Sequence, residues 1–310
     1  MPVTRDLSHD KRQSILMWLN LGAPRGGLVS DMSTHFAPFD LQAETYDQRV
    51  GLPEPECQAI GRSVLAMAQA QAGDVVLEIG AGTGMLGTWL AMPPQRYIGL
   101  DLSRGMLAAF RQRRSPPSGT PLLVHADGNA AWPLAAATVH VIFSSRTLHL
   151  LDLAHVIRES LRVARPEGVV VILGRVHRPD DHVAAVMQRE MQRLLRQHGF
   201  SSRDGGEPQR HLLAAYGQHG GTVLEPVVAA QWTITRTPWQ SIVDWQTKPG
   251  LGGIDPPPAV KGAILHELCR WASVTFGDMQ QAVRSAEAYV LQGVRLRSSE
   301  LGRVRTGGGS

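Results

Sequence analysis

The chain has 310 residues, 43% hydrophobic and 19% charged, so it can bury one large core or two smaller ones. Its formal net charge of +4, without clustered basic faces, argues against a nucleic-acid-binding protein. Its two cysteines lack metal-ligand spacing and no apolar run reaches the length of a membrane span, so we expect a cytoplasmic protein with no metal site and no membrane span.

The first 34 residues lack the patterning of the rest of the chain and are expected to form an N-terminal extension. Residues 36–46 are rich in aromatic side chains, and this stretch ends in the segment Ala-Glu-Thr-Tyr-Asp at 43–47. Between Pro53 and Gln71, prolines open a segment with apolar residues at helical spacing, which predicts a helix.

A glycine-rich turn follows this helix, in the sequence Val-Val-Leu-Glu-Ile-Gly-Ala-Gly-Thr-Gly at 75–84. The pattern predicts a buried strand, a tight turn and a helix over about 85–91. A dinucleotide fingerprint would place its third glycine at position 85, which is Met85, and a phosphate clamp would need a lysine that is absent here. Glu78, two residues before the first glycine, would repel a pyrophosphate but attract an ammonium group.

Three further strands are predicted at 96–101, 121–128 and 138–145, and the first two end in acids. Asp101 lies about 17 residues beyond the last glycine, near the spacing at which a βαβ unit places a carboxylate on ribose hydroxyls. Ser103 can cap the next helix, which leaves Asp101 available for a ligand. A helix over 152–165 and the apolar run 169–173 predict a fifth strand buried on both faces.

The remaining elements are a helix over 180–199, a strand over 222–236, helices over 239–245 and 260–276, and a closing strand over 288–296. A polar loop at 201–206 separates the first two, and residues 302–310 are expected to be flexible.

The turn Glu-x-Gly-x-Gly-x-Gly, the strand-end acids, Leu-His-x-x-Asp at 148–152 and Pro-x-Gly at 166–168 together resemble the class I S-adenosylmethionine-dependent methyltransferases. The resemblance covers residues 40–176 and is closest to the small-molecule branch similar to the ubiquinone and menaquinone C-methyltransferases (type 11). It implies an α/β fold: a doubly wound, Rossmann-like, mostly parallel seven-stranded sheet with helices on both faces and an inserted helical cap. Arg-Pro-Glu-Gly at 165–168 departs slightly from the usual Arg-Pro-Gly-Gly.

The resemblance also implies S-adenosyl-L-methionine as cofactor and a set of residues that bind it. Glu78 would act on the ammonium directly or through water, Asp101 on the ribose and Asp127 on the adenine amino group. Tyr46 is either part of a lid over the cofactor or a helix-packing residue, and Met106 either lies against the adenine or belongs to the core. The predicted cofactor-binding residues are Tyr46, Glu78, Gly80, Ala81, Gly82, Thr83, Gly84, Asp101, Leu102, Met106, Asp127, Gly128 and Ser144.

His149, in the loop after the fourth strand, is the candidate general base for an oxygen or carbon acceptor, or else it packs against the next helix. His35 is a second candidate. Asp152 is predicted to cap the following helix, and His140 to lie in the core.

The predicted organisation is an N-terminal extension (1–34), a cofactor-binding core with its lid (35–176), substrate-capping helices with the closing strands of the same sheet (177–297), and a flexible tail (298–310). The predicted function is methyl transfer to oxygen, carbon or nitrogen of a small molecule by in-line displacement. The alternatives are a cyclase or isomerase that binds the cofactor without transferring methyl, and a non-catalytic binding protein. The sequence leaves the acceptor and the oligomeric state open.

Overall fold

A computed structural model describes residues 39–40, 43–113, 120–201, 206–248 and 250–297. The predicted N-terminal extension, His35 and the predicted tail at 298–310 lie outside these residues. Within the described ranges, every helix is too short or too polar to cross a lipid bilayer.

The described chain contains a seven-stranded sheet with the order β3-β2-β1-β4-β5-β7-β6. The strands are β1 Val75–Ile79, β2 Arg96–Asp101, β3 Leu122–His125, β4 Val141–Ser145, β5 Gly168–His177, β6 Thr222–Arg236 and β7 Val283–Arg297. Neighbours among β1 to β5 are parallel, whereas β7 runs antiparallel to both β5 and β6. The mostly parallel, doubly wound sheet with closing antiparallel strands is therefore confirmed.

Helices follow β1, β2 and β4 among the parallel strands, β3 is joined to β4 without a helix, and further helices are inserted around the antiparallel strands. They are α1 Ala43–Val50, α2 Glu54–Ala68, α3 Gly87–Leu90, α4 Arg104–Gln112, α5 Leu153–Val163, α6 Val183–Gln197, α7 Glu207–Gln218, α8 Pro238–Thr247 and α9 Pro258–Phe276.

Two hydrophobic clusters cover the two faces of the sheet. Alternate residues of a strand point to opposite faces, so Val76 packs with residues of α2 on one side while its neighbour Leu77 packs with α5 and α7 on the other. Both side chains are fully buried. This arrangement confirms the prediction of helices on both faces.

A third cluster joins α6, α8 and α9, with Met187, Ile242 and Leu268 among its buried members. These helices correspond to the predicted helical cap. Their position follows from the strand register: His177 at the end of β5 pairs with Ala288, and Arg236 at the end of β6 pairs with Val283. The chain therefore enters α6 and leaves for α8 at the edge of the sheet where the parallel strands end.

The sequence prediction was wrong at three places. The helix after the glycine turn covers only α3, because the turn itself extends through residue 86. The helix α7 was not predicted; it buries Leu212, Leu213 and Tyr216. His140 lies at the entry of β4 rather than in the core: its Nδ1 accepts a hydrogen bond from the Val75 amide at 2.9 Å.

Candidate active site

The glycine turn after β1 is shaped by three glycines with left-handed backbones, φ 74° at Gly80, 55° at Gly82 and 76° at Gly84. A Cβ added to Gly80 would lie 2.1 Å from Oγ1 of Thr147, and one added to Gly84 would lie 2.1 Å from the ring of Phe110. Among the residues that the structure describes, a Cβ on Gly82 would meet only a backbone oxygen, at 4.0 Å. The two outer glycines therefore allow close packing within the protein, and Gly82 leaves the backbone open to a ligand.

Asp101, at the carboxyl end of β2, is anchored beside Gly82. Its Oδ2 accepts a hydrogen bond from the Gly82 amide at 2.7 Å, and its Oδ1 accepts one from the Ser103 amide at 2.8 Å. Burial raises the pKa of this carboxyl. Ser103 caps α4 through the Met106 amide, as predicted. Because each carboxylate oxygen can accept a second hydrogen bond, Asp101 retains the capacity to hold hydroxyl groups next to the open backbone.

Glu78 lies beneath the turn, with 3% of its surface exposed. The Tyr97 hydroxyl donates to its Oε2 at 2.5 Å, and burial raises the pKa of the carboxyl to about 8 in spite of this bond. The negative charge of Asp101 raises that pKa further, which shows that the two acids share one electrostatic environment. With so little exposed surface, Glu78 fits the water-mediated form of the predicted contact better than the direct one.

Asp127 and Gly128 follow β3 at the same edge of the sheet. Oδ1 of Asp127 accepts a hydrogen bond from the Asn129 amide at 2.8 Å, which closes a local turn. The Asn129 side chain in turn donates to the Leu150 carbonyl at 3.1 Å and accepts from the Asp152 amide at 2.7 Å. This link holds the predicted adenine end of the site against the segment after β4.

The segment that carries Tyr46 docks on the glycine turn. Asp47 on α1 accepts a hydrogen bond from the Thr83 hydroxyl at 2.5 Å and forms an ion pair with Arg113. Asp40 accepts from the Gly105 amide at 2.9 Å, at the start of α4. These contacts hold the segment against the glycine turn and α4. Its function as a lid and the role of Tyr46 stay predictions.

The other predicted residues are distributed around this edge. The Ser144 hydroxyl is buried and donates to the Ile79 carbonyl at 3.1 Å, between β4 and β1. Met106 is buried on the first turn of α4, and the Leu102 carbonyl contacts His125 Nε2 at 2.9 Å. His149 is exposed on a single 3-10 turn, Leu148–Leu150, so its catalytic role stays a prediction. The buried members of the turn are Ala81, Thr83 and Gly84.

Sequence reasoning missed three residues of this region: Asp40, Asp47 and Arg146. The guanidinium carbon of Arg146 lies 5.5 Å from the centre of the Tyr46 ring. Asp47 belongs to the lid segment and was within reach of sequence analysis. Asp40 and Arg146 carry no local pattern, because their contacts join segments that are far apart in the chain. Asp152 caps α5 through the Ala154 amide, as predicted.

Comparisons with known proteins agree with this geometry. A family model described as a methyltransferase domain matches residues 77–172, from β1 into β5. A probable S-adenosylmethionine-dependent methyltransferase of Mycolicibacterium smegmatis is 30% identical over 187 residues, which are 56% of this chain and 70% of that protein. A demethylmenaquinone methyltransferase of Thermobifida fusca is 28% identical over 232 residues, 70% of this chain and 93% of that protein. A malonyl-[acyl-carrier protein] O-methyltransferase of Yersinia pestis is 31% identical over 136 residues, 44% of this chain and 48% of that protein.

The residues present fit the cofactor of such enzymes. The space beside Gly82 admits a ligand to the backbone, and Asp101 stands next to it with acceptor capacity for hydroxyl groups. By its sequence, the chain belongs to the S-adenosylmethionine-dependent methyltransferases and uses S-adenosyl-L-methionine as its cofactor.

Proposed function

We propose that this enzyme methylates a small-molecule acceptor, on oxygen, carbon or nitrogen, by in-line displacement. The observation that carries the proposal is that a ligand-accessible glycine turn and a separately packed helical cap lie at the same edge of the sheet. The strand register brings α6 and α8 to that edge, as described above. Clefts outside the carboxyl ends of parallel strands are where open α/β sheets bind ligands.

The chain's own residues would contribute mainly alignment and exclusion of water. S-adenosylmethionine, when bound, supplies an activated methyl group whose transfer to a nucleophile removes the positive charge on sulfur. We assign Asp101 and Asp127 to the sugar and the base, and the Gly82 backbone to the methionine part. The Asp47 contact with Thr83 would hold the lid segment closed over them. Positioning of this kind lowers a barrier through orientation and a dry cavity.

The acceptor would lie under α6, α8 and α9. Names among the relatives include a demethylmenaquinone methyltransferase and a malonyl-[acyl-carrier protein] O-methyltransferase, which supports a small organic group, free or attached to a carrier, as the methylated part. We propose His149, on the segment after β4, as the base for oxygen or carbon nucleophiles. A nitrogen acceptor with a free lone pair would need no base.

The test is incubation of the purified protein with methyl-labelled S-adenosylmethionine and a panel of candidate acceptors. Labelled product and S-adenosylhomocysteine in equal amounts are the expected result. An altered acceptor without label would instead indicate a cyclase or isomerase. Binding of S-adenosylhomocysteine without turnover of any acceptor class would favour a binding protein.

A further inference from the structure

Arg146 stands directly after β4 and is partly buried, and one nitrogen of its guanidinium group has no partner in the described part of the chain. Its Nε is buried and has no hydrogen-bond partner among the described residues. The ring of Tyr46 covers the group, at 5.5 Å from the guanidinium carbon to the ring centre. Its backbone is also unusual, with φ at 59°, a conformation that residues other than glycine adopt mainly where the surroundings enforce it.

Both neighbours of Arg146 are held in place. The hydroxyl groups of Ser145 and Tyr289 share a hydrogen bond of 2.5 Å, which ties the residue before Arg146 to β7. Thr147, the residue after it, packs directly on Gly80 of the glycine turn. Contacts on both sides therefore hold Arg146 in place, with β7 on one side and the glycine turn on the other.

A donor nitrogen of a charged group that is buried without a hydrogen-bond partner is unfavourable, because desolvation removes the water that would otherwise accept its hydrogen bond. Glu78 is the acid that we assign to the ammonium group of the cofactor. The positive charge of Arg146 lowers the pKa of the Glu78 carboxyl. No ion pair joins the two within the described part of the chain; Glu78 is bonded to Tyr97 instead. Ile79 pairs with Ser144 in the neighbouring strand, so Glu78 and Arg146 both lie near the carboxyl ends of β1 and β4 without forming an ion pair.

We propose that Arg146 binds the carboxylate of the cofactor's methionine part. The inference rests on the proposed function, in which Glu78 serves the ammonium group of the same part. An α-amino acid carries its two opposite charges on adjacent groups, so a site that recognises it needs an acid and a cation that are close together but not paired. Glu78 and Arg146 meet that requirement, and guanidinium–carboxylate pairs are among the strongest hydrogen-bonded pairs in proteins.

The test compares S-adenosylmethionine with its decarboxylated analogue, which keeps the amine and the sulfonium but lacks the carboxylate. Calorimetry on the full chain should show that the wild type binds S-adenosylmethionine about ten to a hundred times more tightly than the analogue. Arg146→Gln should lose that factor for S-adenosylmethionine and bind the analogue as the wild type does. Arg146→Lys should recover part of the difference, and Arg189→Gln, an exposed arginine paired with Asp180, should change neither affinity.

The inference is overturned if the wild type binds both compounds equally, a result that needs no variant to fold. It is also overturned if Arg146→Gln weakens both ligands by the same factor or neither. These outcomes differ from failure of the proposed function, in which the wild type would bind S-adenosylmethionine but methylate no acceptor.

Discussion

Glu78 is a carboxyl group that folding removes from water, and its protonation therefore couples stability to pH. Burial raises its pKa from 4.5 to about 8, so the folded protein keeps the proton over a range in which the unfolded chain has lost it. In that range the folded state binds more protons than the unfolded state. The free energy of unfolding must then fall as the pH rises from about 4.5 to about 8.

We expect Glu78→Gln to remove this part of the pH dependence. The amide oxygen still accepts the Tyr97 hydrogen bond but cannot ionise. Since each pKa unit corresponds to about 1.4 kcal/mol, the wild type should lose a few kcal/mol relative to the variant between about pH 5 and pH 8.5. Urea unfolding at both pH values measures this difference, in which the other titrating groups cancel. Parallel pH profiles for the two proteins would contradict the prediction.

Asp101 supports the cofactor site in two ways, through its hydrogen bonds to the Gly82 and Ser103 amides and through its proposed contact with the ribose. Asp101→Asn replaces one acceptor oxygen by an NH2 group. This donor would then face a backbone N–H or a ribose hydroxyl that donates to Asp101 in the wild type. We expect a loss of about 1–3 kcal/mol in the binding free energy of S-adenosylhomocysteine, measured by calorimetry.

Asp152→Asn is the matched control, because Asp152 also accepts backbone hydrogen bonds but caps α5 outside the proposed contacts. If the Asp101→Asn and Asp152→Asn proteins bind S-adenosylhomocysteine equally well, Asp101 does not contact the cofactor.

Residues with a local signal were the ones that sequence could predict. Ser103 and Asp152 cap helices that begin within two residues of them, and Asp101 follows its strand at a regular distance. Arg146 has no such signal, because its left-handed backbone and its contact with Tyr46 exist only after β4 and α1 have met. Asp47 differs from Arg146, because it lies in the Ala-Glu-Thr-Tyr-Asp segment that the sequence displays; only its partners, Thr83 and Arg113, are supplied by later elements.

The glycines of the turn have two different functions that the sequence pattern does not distinguish. Gly80 and Gly84 allow close packing within the protein, whereas Gly82 leaves the backbone accessible to a ligand. Alanine at Gly82 or at Gly84 must adopt a positive φ, which costs about 1–3 kcal/mol in either case. Alanine at Gly84 must also displace the ring of Phe110, which is 1% exposed. Alanine at Gly82 meets no described atom closer than the Gly80 carbonyl oxygen, at 4.0 Å.

We therefore expect opposite outcomes from the two substitutions. Gly84→Ala should have the lower melting temperature, because overpacking adds about 1–3 kcal/mol to the backbone strain. Gly82→Ala should remain better folded but bind S-adenosylhomocysteine at least about tenfold more weakly, since a methyl group occupies the ligand's place. Thermal unfolding and calorimetry on both proteins test this. Unchanged affinity in Gly82→Ala would show that the ligand does not approach that backbone.

Strong patterns predicted whole elements and weak ones did not. The bounds of β2 and β6 were predicted correctly, because each is bracketed by turn-forming residues. The helix α7 was missed because its buried residues, Leu212, Leu213 and Tyr216, occupy little more than one turn of an otherwise polar segment. The capping box of α8, formed by Thr237 and Gln240, is by contrast a local sequence signal for the start of a helix.

At the scale of the molecule, the three hydrophobic clusters stabilise different parts of the structure. Two of them lie on the faces of the sheet and support the turn and the strand-end acids. The third belongs to α6, α8 and α9. This division motivates our proposal that residues 177–297 combine capping helices with closing strands of the same sheet, and it implies that the cap can loosen while the cofactor site persists.

Leu268→Ala and Leu77→Ala test that independence. Both leucines are fully buried, Leu268 in the cap cluster and Leu77 in β1 under the glycine turn, so each loss should cost about 2–5 kcal/mol. Leu268→Ala should speed hydrogen exchange in α6, α8 and α9 and leave the affinity for S-adenosylhomocysteine within about twofold, because opening of the cap is local. Leu77→Ala should weaken that affinity and speed exchange in β1 and β4. If Leu268→Ala instead speeds exchange in the strands as much as in the cap, the two parts open as one cooperative unit and the proposed division is wrong.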